Sequence, residues 1–585
     1  MPMKNQELAA IFAQMADVLE IQGANEFRVR SYRKIVRVLE DLPDDVETLA
    51  GDGRLEDVPG VGEGTAKKIR EYLETGKIEA HQELVSQVRP ETLELLNLSG
   101  VGPKTVGLLA GKLGVTSIEK LHAALDRGEI GKLPGMGEKK IENIRKALDL
   151  YSAARGRALL GWARDLADDI VGELRDRIEL TEIEPAGSLR RWRETVGDLD
   201  ILAVPAPRKG VDGVETARGA VKAFSSLPQF AEVLSAGETK ASARTPDGFQ
   251  VDLRVVPSES FGAALQYFTG SKAHNVRLRS IAQSKGLKLS EYGLFDGDRA
   301  IAGTDEEGVY EALGLPWITP ELREDRGEIE AALSGKMPDL VTIKDIRCDL
   351  QSHSTFSDGS CSITEMAGFA RSHGYDYYAV TDHSQSLKIA NGMTPDRFLM
   401  QMQEIDGLNA KSEGFRILKG IEVDILPDGS LDMPDDVLAK ADVVLASIHS
   451  NFKQSEEEMT ERILKAARSP LVNIIAHPTG RLIVSREGYS VNVGRLIEEC
   501  AATGTALEIN SHQARLDLND VNARRAMEAG VMLSLGTDAH HPDDFAMMPL
   551  GVSVARRAWC APRHILNTFS CESFLEFCSR KRARR

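Results

Sequence analysis

The pattern of apolar and polar positions changes character twice along these 585 residues. Before residue 150 apolar side chains recur at helical spacing, interrupted by short glycine-containing turns. From about 151 the pattern becomes mixed: a helical stretch over 157–177 leads into strand-like alternation at 198–203 and again at 249–256. Beyond 348, apolar runs at 376–381, 416–424, 443–447, 472–476, 506–510 and 531–536 alternate with helical stretches. That rhythm predicts βα units around a barrel-like parallel sheet. The stretch 321–345 is charged, with few strand formers, and reads as a linker.

The alternating strands carry the first chemistry. Residues i and i+2 of a strand share a face, so Asp198 and Asp200 project side by side. Two adjacent carboxylates repel unless a cation lies between them. Asp252 adds a third acid on the second strand, and Gly187-Ser188 with Arg190 and Arg191 stands just upstream. Three acids, a Gly-Ser turn and arginines fit two-metal nucleotidyl transfer. Acids on a solvated edge strand would leave the Gly-Ser spacing without a role.

A second pattern recurs three times: Val58-Pro59-Gly60-Val61-Gly62, Leu98-Ser99-Gly100-Val101-Gly102 and Leu133-Pro134-Gly135-Met136-Gly137. Each joins two predicted helices, the following ones covering 63–73 and 104–113 in the first two cases. Paired glycines permit a tight turn and present N–H groups to a phosphate. The third copy is equally compatible with a structural turn alone.

The final third gathers metal-ligand residue types at predicted strand ends: His353, Asp358, His383, Glu422, His449, His477, Asp538 and His540. One histidine after a strand is ordinarily a core residue. Five, with three acids, point to one polynuclear site, because barrel chemistry gathers at strand C-termini.

Composition narrows the setting. With 42% hydrophobic and 28% charged residues the chain reads as soluble and globular, and no run approaches a membrane span. The N-terminal residues lack a signal-peptide core, and six cysteines without a C-x-x-C pair suit a reducing cytoplasm. A net charge of −17 argues against a basic coat for nucleic acid but leaves local DNA contacts open. Residues 576–585 read as a solvated basic tail.

These motifs together resemble a bacterial family X DNA polymerase with a C-terminal PHP (polymerase and histidinol phosphatase) domain. Tyr267-Phe268-Thr269-Gly270-Ser271 and Asn275 strengthen the match. The resemblance implies a multidomain fold: helical helix-hairpin-helix N-terminal (1–85) and fingers (86–150) domains, an α+β nucleotidyltransferase palm (151–256) and thumb (257–320). After the linker comes a distorted (β/α) barrel of PHP type (346–575). It implies that Asp198, Asp200 and Asp252 hold two divalent cations, Mg²⁺ or Mn²⁺. Gly187, Ser188, Arg191 and Gly197 would contact the triphosphate, with Arg190 and Arg193 as alternative salt-bridge partners. Tyr267 and Phe268 would stack against the sugar, Gly270 would let the backbone approach, and Asn275 and Arg279 would contact nucleotide and template. Arg254 would orient a metal-binding carboxylate. Gly60, Gly62, Gly100 and Gly102 would grip the DNA backbone.

Lys68 stands where lyase members carry a Schiff-base lysine, and phosphate contact explains it equally; Arg28, Tyr32 and Lys67 would share its surface. In the barrel, His353, Glu422 and Asp538 would hold a first metal. Glu422, His449 and His477 would hold a second, and Asp358, His383 and His540 a third, with Mn²⁺ or Zn²⁺ as the ions. Gln351 departs from the pattern, where the family has histidine. The implied function is gap filling in DNA repair with a 3′–5′ exonuclease; 5′-deoxyribose-phosphate lyase and AP endonuclease activities stay open. Gapped or nicked DNA and deoxynucleoside triphosphates are the expected partners of a monomeric, cytoplasmic chain. The rivals are a small-molecule phosphatase, a polymerase with a merely structural PHP domain, and a DNA-binding scaffold.

Overall fold

The hydrophobic positions sort into two units: residues 1–155 with 484–486, and 156–483 with 487–585. The computed structural model describes residues 3–582, except 41, 43, 44, 59, 99, 100, 155, 156 and 208. Gly100 and the last three residues of the basic tail therefore lie outside the described residues.

The first unit is helical, with one apolar core between Leu8 and Leu84 and another between Leu95 and Leu148. Gly62 caps the helix Glu63–Thr75 and Gly102 caps Pro103–Leu113, so both helices begin at the second glycine of a repeat. Gly60 takes φ +106°, and a Cβ there would stand 3.2 Å from both the Lys34 stem and Val38. Only glycine makes that turn without strain.

The second unit begins with the helix Leu160–Arg177, which buries Leu160, Ala163, Ala167, Ile170 and Leu174. That spacing is one face of a 3.6-residue period, and it packs on a five-stranded sheet. The strands run in the order Leu180–Pro185, Asp198–Pro205, Gln250–Val255, Lys240–Arg244, Glu232–Ala236. Asp198–Pro205 and Gln250–Val255 pair in parallel, with Asp200 opposite Asp252. Helices Phe261–Thr269 and Lys272–Ser284 and a small antiparallel sheet follow, around Leu278, Leu294 and Tyr310.

Residues 321–345 are not a solvated linker. Arg323 and Glu328 are fully buried, and Ile329 and Val341 enter apolar cores. The charges misled because they are paired: Arg323 holds Glu306, and Glu328 accepts from His274 and from the Asp325 and Arg326 amides.

The barrel consists of seven parallel strands in chain order, from Cys348–Asp349 to Leu533–Gly536. A parallel bridge between Ser352 and Ala539, with the His353 N–H donating to the Ala539 carbonyl at 2.8 Å, ties the first edge to the last. Cys348–Asp349 escaped the sequence pattern because two residues are too few to show a period. The basic end is not a free tail either: it completes the helix Cys571–Arg582. Lys581 Nζ is buried and donates to the Ala467 carbonyl (2.7 Å), the Val472 carbonyl (2.5 Å) and Thr505 Oγ1 (2.6 Å). Desolvation pushes its ammonium down to about 8.

Candidate active sites

The strand register brings Asp200 beside Asp252, with Asp198 exposed at the strand mouth. Burial, reinforced by the Asp198 carboxylate, pushes Asp200 up to about 6; the Arg254 charge opposes that rise. Gln250 Nε2 donates to both Asp252 oxygens, at 3.2 and 3.1 Å. Gly187 takes φ +63°, and a Cβ on it would meet Asp200 Oδ2 at 3.2 Å. Arg254 lies 4.4 Å above the Phe268 ring centroid and its Nε has no hydrogen-bond partner. It acts on the carboxylates through its charge.

The neighbouring motif residues differ in how free they are. Tyr267 and Phe268 are half-buried and meet edge to face at 5.1 Å. Asn275 is engaged: its Nδ2 donates to the Tyr267 carbonyl and its Oδ1 accepts from Gln266, each at 2.7 Å. Arg279 is half-buried on the same helix. Ser188 and Gly197 are half-buried, and Arg157 Nη1 stands 3.0 Å from where a Gly197 Cβ would lie. Arg191 packs against Gly270, donates through Nη1 to the Thr269 carbonyl, and pairs through Nε with Glu324 at 3.1 Å. Arg190 grips Glu306 with two hydrogen bonds (2.9 and 2.8 Å), a salt bridge that occupies both of its terminal nitrogens. Glu306, Arg323 and Glu324 have no signature in sequence, because their partners lie from 17 to 133 residues away.

In the barrel all eight candidate ligands converge. Glu422 is central: its Oε1 lies 2.9 Å from His477 Nε2 and 3.4 Å from His449 Nε2. Its Oε2 lies 3.2 Å from His383 Nδ1 and 3.5 Å from His353 Nε2. Asp538 Oδ1 stands 3.1 Å from His353 Nε2, and Asp358 Oδ1 lies 3.4 Å from His540 Nε2. Three donor groups have ligand atoms mutually within 4.8 Å: His353, Asp358, His383 and His540; His383, Glu422 and His449; and His353, Glu422 and Asp538. The expectation had Glu422 shared between the first two metals; here His353 and His383 are shared between groups as well. Among the described residues, the palm aspartates form no group that tight.

Electrostatics favour cations here. Burial alone would raise Glu422 and Asp538, but the surrounding imidazoles hold both well below the usual carboxylate range. Burial holds His383 down to about 3, whereas Asp358 and Asp538 lift His540 to about 10 against burial. His353 Nδ1, His383 Nδ1, Glu422 Oε2 and His477 Nδ1 are buried without hydrogen-bond partners. Unpaired buried donors of this kind fit divalent metals, for which imidazole and carboxylate are the ordinary ligands. His477 (φ +28°) and Asp538 (φ +57°) also occupy left-handed backbone, a strain concentrated at functional sites.

Sequence reading missed the groups that brace these ligands. Asp382 is fully buried and accepts from the Ser354 and Ser357 amides and hydroxyls and from Gln401. It therefore fixes the loop that carries His353 and Asp358. Asp424 holds His449 Nδ1 at 2.7 Å. Gln351 is buried with Nε2 unpartnered, its Oε1 3.4 Å from Asn510 Nδ2, which in turn lies 3.1 Å from Asp538 Oδ2.

In the helical unit, Lys68 is half-buried and its Nζ donates to the Gly64 carbonyl at 3.1 Å. Arg28 and Lys67 are exposed, while Tyr32 stacks on Phe12 at 5.9 Å. Gly62 and Gly102 are exposed at their helix starts.

Four family descriptions match the chain. They are a helix-hairpin-helix domain over 3–78, a SAM-like helix-hairpin-helix tandem over 92–149, the DNA polymerase beta thumb over 264–324 and the PHP domain over 349–512. The DNA polymerase/3'-5' exonuclease PolX of Bacillus subtilis (strain 168) is 39% identical over 583 residues, covering 99% of this chain and 100% of its own length. DNA polymerase lambda of Arabidopsis thaliana is 27% identical over 350 residues, 55% of this chain and 62% of its own. A protein named "Probable phosphatase" from Thermoanaerobacter sp. (strain X514) is 31% identical over 232 residues, 38% of this chain and 89% of its own. Among the described residues, no helix is long and apolar enough to cross a membrane.

Proposed function

Since the chain belongs to the family X DNA polymerases that carry a C-terminal PHP domain, we propose a division of labour between its two carboxylate sites. It is a DNA polymerase with a 3′–5′ exonuclease, acting on DNA and deoxynucleoside triphosphates with divalent metals. Nucleotide insertion belongs to Asp198, Asp200 and Asp252, and strand removal to the histidine–carboxylate cluster around Glu422. The observation that carries this division is the separation of the donor sets: the three palm acids lie on the five-stranded sheet, the other set gathers around Glu422 of the seven-stranded sheet, and the two share no residue.

In the palm, the three aspartates would hold two cations, Mg²⁺ or Mn²⁺, which lower the pKa of a primer hydroxyl and neutralise the leaving pyrophosphate. The protein's own part is positional. Gly187 leaves room beside Asp200, Arg254 tempers the repulsion among the acids, and the edge-to-face Tyr267-Phe268 pair offers a wall for the incoming sugar. In the barrel, His353, Asp358, His383, Glu422, His449, His477, Asp538 and His540 would hold up to three ions, Mn²⁺ or Zn²⁺. Such ions supply Lewis acidity and a low-pKa water; Asp382 and Asp424 keep the ligands oriented. The physiological substrate is a short repair gap, gripped by the backbone amides near Gly60, Gly62 and Gly102. Lys68 offers the amine for a lyase step on a 5′-deoxyribose phosphate.

Paired variants test the division on a gapped duplex. Asp200→Ala should lower insertion by several orders of magnitude and spare nucleotide removal, and His449→Ala should do the converse. Loss of both activities in either folded variant refutes it. Removal that survives in His449→Ala and Glu422→Ala alike would favour a merely structural barrel.

A further inference from the structure

The polymerase and barrel parts of the second unit meet through charge, and most of the arginines come from the barrel. Arg481 donates to Glu194 (2.8 Å), Arg556 to Glu321 (2.7 Å) and Arg524 to the Arg326 carbonyl (3.1 Å). Arg557, at the end of the helix Met548–Arg557, reaches furthest: its Nη1 lies 2.6 Å from the Arg191 carbonyl and 3.2 Å from Glu324 Oε1. Its Nη2 donates to Asp520 at 2.8 Å, and Asp520 also pairs with Arg326 at 2.9 Å.

Glu324 is therefore shared. The oxygen that Arg557 holds is the one that receives Arg191 Nε at 3.1 Å. Side-chain exposure is 3% for Arg557 and 14% for both Glu324 and Arg191, so water screens these contacts little and their geometry is fixed. Arg191 spends Nε on Glu324 and Nη1 on the Thr269 carbonyl, which leaves Nη2 without a hydrogen bond among the described residues.

A carboxylate beside an arginine can either steady it or capture it. Held by Arg557, Glu324 presents one oxygen to Arg191. Released, it is free to take the guanidinium with both oxygens, the geometry arginine favours with carboxylates, and so to compete with a phosphate for the same fork. The Arg557–Arg191 carbonyl bond restrains the backbone at the same point.

We propose that Arg557 is a positioning residue for nucleotide insertion: this barrel arginine holds Glu324, and through it sets the orientation in which Arg191 meets a triphosphate. The inference rests on Arg191 being a triphosphate contact. It gives the barrel a task in polymerisation that is independent of its own metal cluster.

The test is steady-state gap filling by the full-length chain with Arg557→Lys, Arg191→Lys and Asp520→Asn, beside the exonuclease rate and thermal stability of each. Lysine keeps the charge and loses the fork. Arg557→Lys should raise KM for the deoxynucleoside triphosphate ~10-fold, about the loss expected for one hydrogen bond to a charged group. Its kcat and exonuclease rate should stay within about threefold of the parent, the pattern of lost ground-state binding. Asp520→Asn, which touches neither Arg191 nor Glu324, should move KM the same way by less. If Arg191→Lys raises KM and Arg557→Lys does not, the positioning role is refuted. If Arg191→Lys itself leaves KM unchanged, the triphosphate reading of Arg191 fails instead. A fall in all activities and in stability together would reduce Arg557 to an interface staple. Should Arg557→Lys not fold, an unchanged KM in Asp520→Asn overturns the proposal.

Discussion

Asp200→Asn should stabilise the metal-free chain while abolishing nucleotide insertion. The Asp200 carboxyl is pushed from 3.8 to about 6 by burial and by the Asp198 and Asp252 charges. At pH 7.5 it is ionised in both the folded and unfolded states, so the fold bears the full cost of the charge. A shift of roughly two units corresponds to ~3 kcal/mol. Asparagine keeps the shape and removes the charge, so ~1–3 kcal/mol should return, less where Arg254 loses a counter-charge. The sign with pH follows. A carboxylate raised in the fold destabilises above its folded pKa, so the stability gap between variant and parent should be full above about 6. It should shrink as pH falls from there through 3.8, below which the parent is protonated in both states. Urea unfolding in EDTA at pH 7.5 and pH 5, followed by tryptophan fluorescence with Trp317 and Trp559 replaced by Phe so that Trp162 and Trp192 of the palm report, reads the gap directly. A variant no more stable than the parent at pH 7.5, or equally ahead at both pH values, refutes the electrostatic account. Gap filling with Mg²⁺ should fall by orders of magnitude in the same variant.

Gly187→Ala should cost ~1–2 kcal/mol, because alanine is strained at φ +63° and its Cβ crowds Asp200; denaturant melts check this, and insertion should fall with it. Asp382→Asn puts a donor where five donors converge, and should weaken barrel metal binding ~10–100-fold by titration calorimetry. Gln351→His should tighten the first barrel metal by ~10–100-fold and lower the Mn²⁺ needed for half-maximal exonuclease; no shift would show the position dispensable. Lys68→Ala should abolish borohydride trapping on a 5′-deoxyribose phosphate if Lys68 is the lyase amine, and unchanged trapping would assign the step to another amine.

What the sequence made legible was whatever obeys a short period. Asp198 and Asp200 share a strand face by alternation alone, and His383, Glu422, His449, His477 and Asp538 stand out because each lies at the end of an apolar run. Partnerships across the chain leave no such trace. Arg190 reads as a salt-bridge partner beside Arg191, but only the fold shows which acid it takes: Glu306, 116 residues on. The same blindness made 321–345 look like a linker, since a buried ion pair and a solvated one have the same composition. Lys581 inverts the case: a tail lysine is buried because backbone carbonyls, invisible as sequence, satisfy it.

The two sites solve like-charge crowding in opposite ways, and this sets how each should respond to metal removal. The palm gathers three acids with one nearby arginine, and its strain appears as a carboxyl raised to about 6. The barrel surrounds Glu422, Asp358 and Asp538 with imidazoles, and its carboxyls sit low while His540 rises to about 10. Protonated His540 can stand in for a missing cation in the barrel, whereas the Arg254 charge in the palm still leaves Asp200 raised. Chelation at pH 7.5 should therefore loosen the palm more than the barrel. Hydrogen exchange in EDTA should accelerate at Asp198–Pro205 and Gln250–Val255 while Arg416–Asp424 and Val443–Ser447 stay protected. Added Mg²⁺ should restore the palm strands. Equal loosening of both sheets would mean that the imidazoles do not substitute for metal charge, and that the barrel depends on its ions for stability as much as for chemistry.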